Sequence, residues 1–153
     1  MWGAREMGYR VVFWDCLWFL VWALVCFILL KTFGFNILLS SLGVVFGLVY
    51  GITAVQWYIK GIEKNGEFRA TRKMWAFLLL AIIVIVPLAV YSGLSFGLAG
   101  ARQMISFVYP ILLAFIATRI GLILNLERKQ KKHILSKGFW ILSLYTSPET
   151  EKK

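Results

Sequence analysis

Residues 103–126, QMISFVYPILLAFIATRIGLILNL, form an apolar run that carries one arginine, Arg119, and stops on the cationic cluster 127–133, ERKQKKH. As a helix rising 1.5 Å per residue, such a run is about 36 Å long, enough to cross a hydrocarbon core of about 30 Å with some tilt. The feature constrains the fold class: an all-α, polytopic membrane protein. Composition agrees, because 60% of the 153 residues are hydrophobic and only 16% are charged. A soluble domain of that size could not present so much apolar surface to water.

Three more segments have the length and hydropathy of spans. Residues 11–30 are an apolar run in which Trp14, Trp18 and Trp22 recur every fourth position as one stripe, with Asp15 beside it. Residues 36–59 carry Gly43, Gly47 and Gly51 on one face. This overlapping G-x-x-x-G pattern lets another helix approach closely, either within the bundle or in a second copy. The tryptophan stripe is one candidate to fill that groove. Residues 74–98 contain Pro87 near the middle, where the ring blocks the carbonyl of Ile83 and predicts a kink. Ala89, Gly93 and Gly97 form a second small-residue face there.

The expected architecture is therefore a four-helix transmembrane bundle over residues 1–126, with a polar loop at 60–73 and a tight connection at 99–102. A basic tail, 127–153, follows. Within it, 134–145 is too short to span the bilayer yet too apolar for a free tail, and is expected at the membrane interface. Arg128, Lys129, Lys131, Lys132, Lys137 and Trp140 are its candidate lipid-headgroup residues.

Charge sets the expected orientation. Alternating spans sort twelve flanking cations to one side (Arg5, Arg10, Lys60, Lys64, Arg69, Arg72, Lys73, Arg128, Lys129, Lys131, Lys132 and Lys137) against Lys31 and Arg102 on the other. Cytoplasmic flanks of membrane proteins collect Lys and Arg, so both termini are expected in the cytoplasm and the protein in a plasma (inner) membrane. The same rule accounts for the net charge of +10 without a nucleic-acid partner. Cys16 and Cys26 are about 15 Å apart on one helix and cannot pair with each other.

One constellation could carry chemistry. Counted from the span midpoints, Asp15, Arg119 and Thr53 lie about 7–8 Å to the cytoplasmic side, and the Ile83 carbonyl about 4–5 Å. Four helices thus offer a polar group at one level. The Cα–Cβ bond of Arg119 tilts away from the nearer surface, so its guanidinium needs a compensating neighbour; Asp15 and the Ile83 carbonyl are the candidates. The arrangement is either a static pair that holds the helices in register or a cytoplasm-facing site for an anion or carboxylate.

Other chemistry is thinly represented. The sole histidine, His133, lies in the tail, which removes two-histidine haem ligation within the membrane. No Cys-x-x-Cys, His-Glu-x-x-His or glycine-rich phosphate loop occurs, and Ser92 and Ser95 have no base nearby in sequence. No catalytic set, metal or cofactor is expected. The first functional reading is a non-catalytic integral membrane subunit or assembly partner, with the bilayer and other membrane subunits, or a second copy, as partners. The second is a small oligomeric transporter or channel with its polar site at Arg119 and Asp15. Short length, a four-span count and an acidic residue in the first helix resemble small multidrug transporters. Asp15 is the only matching residue, however, and neither the remaining spacing nor the tail follows that family.

Overall fold

The computed structural model describes residues 9–65, 67–69, 72–136 and 143–146. Three helices carry the chain: α1 (Val11–Phe33), α2 (Ile37–Asn65) and α3 (Arg72–Gln130). Four short strands accompany them: β1 (Tyr9–Arg10), β2 (Glu67–Arg69), β3 (Ile134–Ser136) and β4 (Ser143–Thr146).

Each helix boundary has a local cause. Helix α1 runs uninterrupted through its bulky residues and stops at Gly34, whose φ of 90° is open to glycine and whose N–H reaches the Leu30 carbonyl at 2.9 Å. Asn36 then starts α2, its Oδ1 accepting from the Leu39 N–H at 3.2 Å. Helix α2 continues through Lys60 and Lys64 to Asn65, so the first part of the expected polar loop is helical.

The expectation of four separate spans is corrected by α3. Only three helices among the described residues are long and apolar enough to cross a membrane, and the segments read as third and fourth spans belong to one 59-residue helical element. The expected connection at 99–102 is itself helical. The element is not straight. At Gly97 the backbone takes φ 56° and ψ −132°, and a Cβ added at Gly100 would lie 2.1 Å from the Ser92 carbonyl oxygen, eight residues back. Phe77 and Phe115, which would stand about 57 Å apart in a straight helix, both lie against Tyr50, at ring distances of 4.4 and 5.9 Å. The chain therefore folds back within α3 without a polar loop, and both segments read as separate spans lie in one continuous helical element. The sharp break also falls ten residues beyond Pro87, the expected kink, because glycine alone reaches that region of φ/ψ comfortably.

The all-α class holds for every long element, and a small sheet of two- to four-residue strands is added to it. The strands form one antiparallel sheet in the order β1–β3–β4–β2, with Arg10 opposite Leu135, Leu135 opposite Tyr145 and Phe68 opposite Leu144. Extended segments at a helix end leave backbone donors and acceptors that must find partners, and here three such ends supply them to one another. The sheet consequently gathers the flank of α1, the α2–α3 connection and the tail at one end of the molecule. The described parts of the expected interfacial segment are strands β3 and β4.

Beneath the sheet lies the core: Val11 and Val12 from α1, Val55, Tyr58 and Ile62 from α2, Ile123 and Leu126 from α3, and Ile134 from β3. Elsewhere the outward helix faces are apolar. On 79–98 nearly every large side chain points outward, Leu94 being 84% exposed. Such a surface is stable against acyl chains, and the helices satisfy their own backbone polar groups as that setting requires.

Candidate intramembrane polar site

Below the core, α1 and α3 each present one charged side chain inward. Asp15 and Arg119 are both 0% exposed, and Arg119 Nε stands 2.9 Å from Asp15 Oδ2. The Tyr58 ring of α2 packs beside them, its centroid 5.6 Å from Arg119 Cζ. Helical spacing explains the placement. Val11 lies one turn before Asp15, Ile123 one turn after Arg119, and Ile62 one turn after Tyr58, so each polar residue continues a face whose next member is in the apolar core. The ion pair thus sits under a layer of buried hydrocarbon about one helical turn thick.

In such surroundings the pair is costly to create and more costly to break. Each charge loses several kcal/mol of hydration, recovered only through its partner, and removing one partner typically costs about 3–5 kcal/mol. A cation facing an aromatic ring in a desolvated site adds about 2 kcal/mol or more. Chemically, the arrangement can hold three segments in one register.

The other residues of the expected site are not brought to this pair. Thr53 is half-buried, and its Oγ1 donates to the Val49 carbonyl of its own helix at 2.9 Å. Ile83 is 64% exposed on the outward 79–98 stretch. Depth carries no information about azimuth: Thr53 bonds back onto its own helix, and the Ile83 side chain lies on the outward stretch.

The two small-residue faces also differ. The Gly43, Gly47 and Gly51 groove is filled by the second part of α3, not by the tryptophans. A Cβ at Gly43 would lie 2.4 Å from the Phe107 carbonyl oxygen, one at Gly47 2.5 Å from that of Ile111, and one at Gly51 3.0 Å from Thr118 Cβ. Trp22 instead meets Tyr109, with ring centroids 5.9 Å apart. On the other face Gly93 and Gly97 have nothing within 4 Å of an added Cβ, Ala89 is half-buried and Pro87 is exposed.

Among the expected headgroup residues, Arg128, Lys129 and Lys131 are exposed and Lys132 is half-buried, while Lys137 and Trp140 lie outside the described residues. Two residues with contacts at or near the site escaped the sequence reading. Tyr58 follows Gly51 by two turns and so continues the glycine face, a periodic signal that was available. Glu127 is the lone acid in a cationic cluster. It is buried, accepting from Arg10 Nη2 at 3.0 Å and from the Ile134 N–H at 2.9 Å, with His133 Nδ1 at 3.7 Å. At the opposite end Ser40 Oγ donates to the Ser106 carbonyl, the Asn36 N–H donates to Ser106 Oγ, and Arg102 donates to the Phe35 carbonyl, which ties the α1–α2 connection to α3.

Among the described residues no three His, Cys, Asp or Glu side chains converge as a metal site would require. Comparison of the chain with family models, with curated proteins and with solved structures finds no match.

Proposed function

We propose that this protein is a non-catalytic integral membrane subunit or assembly partner, held in register by the Arg119–Asp15 pair and offering the 79–98 stretch of α3 to another membrane protein. The observation that carries this reading is the exposure of that stretch. Most of its large apolar side chains face outward, and an added Cβ at Gly93 or Gly97 meets nothing within 4 Å. Close approach of a foreign helix is what such a surface permits, since packing, rather than the hydrophobic effect, joins helices in lipid.

In this reading both termini lie in the cytoplasm of a plasma (inner) membrane. Arg128, Lys129, Lys131, Lys132, Lys137 and Trp140 then meet anionic headgroups. The pairing of β1, β2, β3 and β4 supports a common side for the three cationic flanks. The transport reading has less beneath it, because a solute-binding arginine needs an approach and Arg119 has no exposed surface.

Purification in a native lipid environment, followed by mass analysis of the intact assembly, tests the proposal. A stoichiometric foreign membrane subunit supports it. A pure homo-oligomer that moves ions or solutes across liposomes replaces it with the transport reading.

A further inference from the structure

The C-terminal flank of α3 holds a device that neither the packing of the helices nor the partner reading requires. Helix α3 ends at Gln130, and the chain turns back through Lys131, a non-glycine residue at φ 54°, in the left-handed region. That turn lays β3 across the end of the core. Ile134, 0% exposed, enters the same cluster as Val11, Tyr58, Ile62, Ile123 and Leu126. Tyr58 is also the residue that touches Arg119, so Ile134 belongs to the same apolar layer that covers the ion pair.

The fastening is concentrated on one carboxylate. Glu127 Oε1 accepts from the Ile134 N–H, and Oε2 accepts from Arg10 at the base of α1, with His133 beside it. One side chain therefore joins the end of α3, the start of β3 and the start of α1. Besides the Ile134 side chain in the core, β3 is held by two residue pairs with β1 and three with β4.

We propose that residues 131–136 are a releasable strap, latched by Glu127, whose opening admits water to the Arg119–Asp15 pair while the helices stay packed. The strap makes hydration of a membrane-buried charge pair depend on the tail, and so on whatever the tail engages. Local opening of short pairings at a free energy below that of global unfolding is the physical basis.

The test uses full-length protein in lipid nanodiscs with Cys16→Ser and Val11→Cys. Val11 lies between the strap and Asp15, and native Cys26, buried further along α1, serves as the reporter of global unfolding. A charged, membrane-impermeant thiol reagent is the probe. Glu127→Gln is expected to raise labelling at position 11 by roughly tenfold or more, the factor for loss of one charge-assisted bond, with labelling of Cys26 unchanged. Arg10→Gln, which spares the strap itself, should raise it less.

A second measurement needs no change to the latch. With Glu127 intact, labelling at position 11 should proceed at the opening rate read from hydrogen exchange of the Ile134 amide, and well ahead of Cys26. The proposal is overturned if position 11 reacts only at the Cys26 rate with the latch intact, or if Glu127→Gln leaves labelling at position 11 unchanged.

Discussion

Replacing Asp15 by leucine leaves the Arg119 guanidinium 0% exposed and without its countercharge, in a span that offers no water to replace it. Because neither partner touches solvent, no discount for screening applies. Loss of one partner from a buried pair costs about 3–5 kcal/mol. For a chain of this length each kcal/mol moves the unfolding midpoint by about 2–4 °C, so a fall of roughly 6–20 °C is expected. The informative comparison is Asp15→Leu with Arg119→Met. The double variant removes both desolvation costs and fills similar volume, so it should regain most of the loss and sit within about 1 kcal/mol of the parent, or above it. Thermal unfolding by intrinsic tryptophan fluorescence in one detergent, across all four proteins, gives the coupling directly. If the double variant loses the sum of the two single losses, the side chains are energetically independent and the registering role assigned to the pair is wrong.

The same assay reads four further substitutions. Gly47→Ala forces a Cβ to within 2.5 Å of the Ile111 carbonyl oxygen and 2.7 Å of Ala114 Cβ, and should cost about 1–3 kcal/mol by driving α2 from α3. Gly93→Ala meets nothing within 4 Å and should be neutral or stabilising by about 0.5–1 kcal/mol; equal losses at the two positions would mean the groove is not where α2 and α3 meet. Gly97→Ala should cost about 1–3 kcal/mol through backbone strain alone, because the space around it is open and only its φ/ψ forbids a side chain. Lys131→Gly should raise the midpoint by the equivalent of about 1 kcal/mol, since glycine adopts the left-handed turn without penalty; a fall would show that the lysine side chain supports the turn.

Much of this architecture is legible along the chain because its determinants are local. Helix α1 and the apolar part of α2 follow from unbroken hydropathy, and the close approach on Gly43, Gly47 and Gly51 follows from their four-residue spacing. Arg119 advertises its own need for a neighbour. A charge in hydrocarbon is expensive whatever surrounds it, and the tilt of the Cα–Cβ bond limits where the side chain can go. Gly97 was noticed for its size, although its contribution is conformational. A hydropathy profile records neither φ nor the difference between a loop and a fold-back made inside a helix.

What the amino acids settled unaided is the solvent: apolar length and the scarcity of charge require a hydrocarbon setting, since burial free energy scales with composition and not with arrangement. Only the tertiary structure decided which groups meet. Hydropathy and depth are one-dimensional, whereas Asp15 touching Arg119, Thr53 bonding back onto its own helix, and Glu127 catching the strand that follows α3 are matters of azimuth and of chain reversal. A sheet joining three distant flanks was beyond periodicity for the same reason, because its strands are two to four residues long and acquire backbone partners only when the helix ends that carry them arrive side by side.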